Sequence, residues 1–232
     1  MKTKFLTTLL ATSLLFAGGG QAALTVLIGF VDDEGSGQSI RNGGFEEGEA
    51  GDTFAETPFW SSFFPEGDDS TLTMSSNVKT GELRGTASGW SGTGTRQHPT
   101  QTIPASAWTI AAGDFFNVSL DWRNGAGFSG ELQVILRVID AQGSQVGDVL
   151  LEENDTLQTT GQYQTFSLTS GVVPEGSPLI GDGHQIQLRI LNSGPRSSFA
   201  IIDNVSLTAI PEPSAALLGG LGLLALLRRR RR

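Results

Sequence analysis

The sequence predicts an all-β protein built as an antiparallel sandwich. Apolar residues recur with period two along the middle of the chain, and no comparable helical period competes with them. Glycine-rich or acidic punctuation separates these stretches, as at Asp32-Asp33-Glu34-Gly35, Gly125-Ala126-Gly127 and Gly181-Asp182-Gly183. That spacing gives roughly nine to eleven short strands joined by turns.

Along the chain, the less regular candidates come first: Leu24 to Val31, Phe59 to Phe64, Thr71 to Val78 and Leu83 to Trp90. The pattern then sharpens. From Phe115 to Trp122, the side chains of Phe116, Val118, Leu120 and Trp122 share one face, with Asn117, Ser119 and Asp121 opposite. Leu132, Val134, Leu136 and Val138 repeat it, and Ile135 and Ile139 make this strand apolar on both faces, which places it inside a sheet. Tyr163 to Leu168 is another, weaker candidate. Ile186, Leu188 and Ile190 follow, with Gln185, Gln187 and Arg189 outward, and the last strand runs from about Phe199 to Ala209. Two prolines, Pro211 and Pro213, stop it. No internal repeat or interdomain linker divides residues 23–209, which are long enough for one all-β domain with a sizeable core.

Both ends of the chain read as addresses. Lys2 and Lys4 precede an apolar stretch from Phe5 to Phe16, and small residues follow at Ala17, Gly18, Gly19, Gly20 and Ala22. This is the tripartite pattern of a secretory signal peptide over residues 1–22, a helix cut after Ala22. The C-terminal tail, residues 210–232, places Pro211-Glu212-Pro213-Ser214 before an apolar run from Ala215 to Leu227 and ends on Arg228, Arg229, Arg230, Arg231 and Arg232. As a helix the run spans about 20 Å at 1.5 Å per residue, short of a bilayer core of about 30 Å. Arginine stems extend it by snorkelling, and the cluster stays cytoplasmic under the positive-inside rule. The body is therefore expected outside the cytoplasm, held briefly by a short transmembrane helix.

Composition narrows the chemistry. Without the two ends, eight Lys and Arg stand against 23 Asp and Glu, a net charge of −15. Such a surface repels nucleic acid and anionic headgroups and leaves cations and neutral glycans as partners. The absence of cysteine removes thiol catalysis, iron–sulfur clusters and Cys-based zinc sites. His98 and His184 lie 86 positions apart beside Pro or Gly and form no metal-ligand spacing. No G-x-S-x-G elbow, P-loop or dinucleotide fingerprint occurs. Glycoside hydrolysis needs two carboxyl groups about 5 to 10 Å apart. Among the acidic pairs Glu46-Glu47, Asp68-Asp69 and Glu152-Glu153, adjacent strand residues point to opposite faces and adjacent turn acids are solvated. The expectation is a non-enzymatic protein.

Aromatic side chains are the better lead for binding, because the C–H face of a sugar ring stacks on an indole. Of Trp60, Trp90, Trp108 and Trp122, the parity of Trp122 sends it to the core. Trp90 ends a strand before the Gly-rich loop Ser91-Gly92-Thr93-Gly94 and is the expected glycan-binding platform.

Two resemblances follow from the motifs quoted. Pro211-Glu212-Pro213, the short hydrophobic segment and the terminal arginine cluster resemble the PEP-CTERM sorting domain of Gram-negative bacteria. That resemblance implies recognition by an exosortase, processing near the Pro-Glu-Pro motif, and a place beside exopolysaccharide in the extracellular matrix. Asn42-Gly43-Gly44-Phe45-Glu46 and Ile202-Asp203-Asn204-Val205-Ser206-Leu207 are similar to the first and last strands of galactose-binding-like jelly rolls, which include many carbohydrate-binding modules. This second resemblance implies a jelly-roll sandwich, a structural calcium and, in many members, glycan binding. Alternation puts Asp203 on one face with Ile201, Val205 and Leu207, where an isolated carboxylate is costly and needs a partner. A hard cation with oxygen ligands suits an acid-rich chain. Asp203 is thus an expected Ca2+ ligand, and the resemblance supplies Glu46 as the second.

Overall fold

The computed structural model describes residues 24–29, 41, 43–45, 59–62, 71–74, 83–88, 99–124, 131–156, 162–192 and 199–211. Eleven strands lie within them: β1 (Thr25–Ile28), β2 (Trp60–Ser62), β3 (Thr71–Met74), β4 (Leu83–Ser88), β5 (Pro99–Ile103), β6 (Phe115–Asn124), β7 (Glu131–Ile139), β8 (Leu151–Thr156), β9 (Gln164–Thr169), β10 (Gln185–Asn192) and β11 (Phe199–Ile210). They form two sheets. The first runs β3-β4-β11-β6-β9, with β1 also on β11, and the second runs β2-β5-β10-β7-β8. Every pairing is antiparallel.

The period-two pattern dictates which faces meet. Phe116, Val118, Leu120 and Trp122 of β6 are buried, as are Leu132, Val134, Leu136 and Val138 of β7 and Ile186, Leu188 and Ile190 of β10, all in one core cluster between the sheets. At roughly 1.5–3 kcal/mol for each fully buried large apolar side chain, these eleven residues supply much of the driving force. β7 is flanked on both sides, by β10 and β8, as its two-faced apolarity requires.

Strands β5 and β8 escape the pattern. β5 reads Pro-Thr-Gln-Thr-Ile, and Gln101 occupies an inward position opposite Leu188 and Trp60, where its amide donates to the Arg41 carbonyl at 2.6 Å. β8 is an acidic edge strand: Glu152 and Glu153, read from sequence as solvated, are exposed there and point to opposite faces.

β11 is bordered on one side by three separate pieces of chain. β4 pairs with Phe199–Ile202 and β1 with Leu207–Ala209. Between them Val205 N donates to Gly43 O at 2.8 Å, and Gly43 N donates to Gly29 O at 3.0 Å. Only glycine fits at position 43, since a Cβ would collide with the carbonyl oxygens of Val205 and Gly29. Gly43 is thus the insert that bridges Gly29 and β11 at the edge of the sheet. β11 ends at Ile210, directly before Pro211.

Candidate functional site

The insertion beside β11 coincides with a β-bulge. Asp203 pairs with Asp121 and Ser206 with Ser119, so three steps along β11 match two along β6. Asn204 takes up the extra residue at φ 50°, a left-handed conformation that asparagine tolerates better than most side chains. The bulge reverses the alternation expected for this strand. Ala200 and Ile202 face the core before it, and Val205, Leu207 and Ala209 after it. Asp203 does not share the face of Val205 and Leu207. It stands opposite Asp121, on the side of the sheet away from Leu120 and Trp122.

Burial of Asp203 is nevertheless complete, at 0 % exposure, with Asn204 at 5 % and Asp121 at 8 %. Asn204 Nδ2 donates to Asp121 Oδ2 at 3.0 Å, the Thr165 hydroxyl donates to Asp121 Oδ1, and Asn204 N donates to Asp203 Oδ1 at 2.8 Å. Both Asp121 oxygens are thus engaged within the protein. Asp203 and Asp121 are engaged by N–H and O–H donors of Asn204 and Thr165. Glu46 lies outside the described residues, and among those residues no group of three or more His, Asp or Glu is gathered.

A second polar feature spans the outward face of the second sheet. Arg137 on β7 donates from Nε and Nη2 to Gln187 Oε1 on β10 at 2.8 and 2.6 Å, and Gln187 Nε2 donates to Thr102 Oγ1 on β5 at 3.3 Å. Gln133 of β7 donates to Glu152 of β8 at 2.9 Å on the same face. Desolvation lowers the Arg137 pKa from its ordinary value, but a guanidinium remains charged throughout the working pH range. An amide, a hydroxyl and a guanidinium are held there by mutual hydrogen bonds around Gln187, which is itself buried.

The tryptophans divide. Trp60 is 4 % exposed and stacks on Phe45 at 4.9 Å between ring centroids; Trp122 is fully buried and donates its indole N–H to Asp155 at 2.8 Å. Trp108 is half-buried, donating to Asp114. Trp90 lies outside the described residues. The aromatic that sequence reasoning passed over is Phe59, which immediately precedes β2, is 53 % exposed and has the Arg41 guanidinium 5.8 Å from its ring centroid. Its neighbour Trp60 is buried, and no sequence signal separates the two. His184 is a half-buried loop residue, its Nδ1 3.0 Å from Leu179 O, and His98 lies outside the described residues. An open cleft of about 390 Å³ lies between residues 148–150 and 171–179, and no aromatic side chain lines it.

These sheets define a jelly-roll β-sandwich, and solved structures share it. One is a Stig cyclase from Fischerella sp. TAU, 18 % identical, with 82 % of this chain and 100 % of that one covered at a TM-score of 0.56. Another is the N-terminal CBM22-1–CBM22-2 tandem domain of Paenibacillus barcinonensis Xyn10C, 13 % identical, covering 83 % of this chain and 47 % of that one at 0.50. At such identities the likeness establishes the fold, which serves a cyclase and a carbohydrate-binding tandem alike and so does not choose between catalysis and binding. No curated protein matches the sequence. Residues 209–232 match the PEP-CTERM protein-sorting motif. Among the described residues no helix is long and apolar enough to cross a membrane; residues 1–23 and 212–232, with the Glu212, Pro213 and Arg228 to Arg232 positions, lie outside them.

Proposed function

We propose that this is an exported, non-enzymatic β-sandwich protein, sorted by an exosortase through its C-terminal tail and delivered to the exopolysaccharide matrix of a Gram-negative cell surface. The observation that carries this reading is the junction at the end of β11. The sorting motif begins at position 209, where Ala209 is still fully buried and paired with Phe116, and Pro211 follows one residue after the strand ends. Folded cargo and address thus meet without an intervening linker. The acids Asp114, Asp121 and Asp155 support a non-enzymatic role, since each accepts structural hydrogen bonds: Asp114 from Trp108 and Ala111, Asp121 from Thr165 and Asn204, Asp155 from Trp122 and Gln164. Intact-mass analysis of protein recovered from cells and from medium tests the sorting. Protein in the medium that retains residues beyond Ser214 would overturn it.

Glycan binding is the second reading, favoured by the hydrogen-bonded row Thr102–Gln187–Arg137 on the second sheet and by the exposed ring of Phe59. In this reading Trp90 adds a second stacking surface. A structural Ca2+ held by Asp203 and Glu46 would fix the Asn42–Glu46 segment against β11 and supply no reaction chemistry.

A further inference from the structure

Among the described residues, β9 ends the first sheet: β6 pairs with one side of it and no strand with the other. Natural sheets protect such edges with charges, prolines or bulges, because an unpaired row of N–H and C=O groups templates another strand. β9 has none of these. Gln-Thr-Phe-Ser-Leu-Thr carries no charge and no proline, and its register with β6 runs without a shift. Thr165, Ser167 and Thr169 are exposed, while Phe166 and Leu168 are half-buried against the core. The edge strand of the second sheet, β8, is by contrast defended by Glu152, Glu153 and Asp155.

The five residues Thr165-Phe166-Ser167-Leu168-Thr169 are also close to a palindrome about Ser167. A two-fold contact sets one patch against itself and therefore demands self-complementarity. Turned about Ser167, this strand meets itself with Thr on Thr, Ser on Ser and Phe on Leu. We propose that β9 is the edge through which two copies of this chain pair, antiparallel and centred on Ser167, joining two first sheets into one.

Charge favours a second copy at this edge over any other. The exported body carries −15, and like charges directly opposite each other destabilise a strand pair. Pairing β8 with itself would align carboxylates, whereas β9 meets its copy with no charge at all. On the core side, Phe166 and Leu168 of each copy cover the half-exposed flank of the other. On the outer side, the row Ser206–Ser119–Ser167 continues into its own copy without a charge, while the row Thr208–Asn117–Thr169 meets Thr165 of the copy, behind which Asp121 and Asp203 are buried. The remaining repulsion between two acidic bodies is screened by salt, so association should strengthen with ionic strength.

The chain has no cysteine, so single-cysteine variants of the full chain read the contact directly. In the proposed pairing, Ser167 faces its own counterpart at about 4.5–5.5 Å between Cα atoms, within the range that a disulfide bridges. Thr165 lies four residues from its counterpart along the strand, about 14 Å at 3.4 Å per residue. Both positions are exposed; because the Thr165 hydroxyl also donates to Asp121, circular dichroism and the melting temperature first establish that the Thr165→Cys chain is folded. In detergent with a mild oxidant, Ser167→Cys should shift to the mass of two chains and return on reduction, while Thr165→Cys stays at one. Ser167→Lys, which sets two ammonium groups against each other, should abolish the two-chain species of the parent. A Ser167→Cys chain that stays single, or equal crosslinking at positions 165 and 167, as clustering through the hydrophobic ends would give, overturns the proposal.

Discussion

Gly43 is the residue on which closure of the first sheet depends most directly. It bonds to Gly29 and Val205 at once, and both carbonyl oxygens stand where a Cβ would be. Overpacking costs typically ~1–3 kcal/mol where the neighbours can shift, and backbone on two sides leaves little room to do so. Gly43→Ala should therefore lower stability by about that amount or more, read as a fall in the urea midpoint at unchanged slope. Asp203 makes a different demand. A fully buried carboxylate needs compensation, and if Ca2+ provides it, adding calcium to the chelated protein should raise Tm. Asp203→Ala should abolish that rise; an unchanged rise in the variant would remove Asp203 as a ligand. Trp122 offers a third measurement. Its indole N–H on Asp155 joins β6 of the first sheet to β8 of the second, so Trp122→Phe should cost about 1–3 kcal/mol by leaving that acceptor underused as well as by lost volume.

Among the elements, the regular strands were legible because their faces follow from the pleat alone. Val118 and Leu136 face the core for the same reason that Ser119 and Arg137 do not. Legibility failed where a tertiary partner replaced an apolar side chain. Gln101 faces inward because the Arg41 carbonyl, 60 residues away, receives its amide. β8 is a strand because β7 lies beside it, although Leu151–Thr156 carries no apolar alternation of its own. At the proposed glycan face the same dependence on neighbours makes a prediction. Gln187→Ala removes the acceptor of both Arg137 bonds and the donor to Thr102; it should weaken retention of the folded variant on exopolysaccharide columns and, because Gln187 is buried, also lower Tm. Equal retention by variant and parent would move the glycan site off this face.

At the scale of the whole molecule, topology brings the two ends of the domain together. Thr25 pairs with Ala209, so the first described strand and the start of the sorting motif at 209 lie side by side. Under the proposed export, both cuts would fall at one end of the sandwich. Because β11 is hydrogen-bonded through Ile210, cleavage within it would require local unfolding, and the cut is expected beyond Pro211. Mature protein should accordingly keep an intact β11 and end between Pro211 and about Ser214, which mass spectrometry of its C-terminal peptide would show. Replacing Arg228 to Arg232 with neutral residues should impair release into the medium.

What the sequence determined by itself was local or compositional: the alternating faces of β6, β7 and β10, the acidic, cysteine-free surface, and the address-like ends. Each rests on the geometry of a single strand or on the composition of a short window. What only the tertiary structure decided was long-range. The bulge at Asp203–Asn204 flips the face of the second half of β11, and it is set by pairing with Asp121, more than 80 residues earlier. Phe59 is exposed and Trp60 buried because the turn before β2 and the stacking on Phe45 sort two adjacent aromatics. A period of two carries no information about where an extra residue enters a ladder or which strand has no neighbour, because both are properties of the pairing and not of the strand.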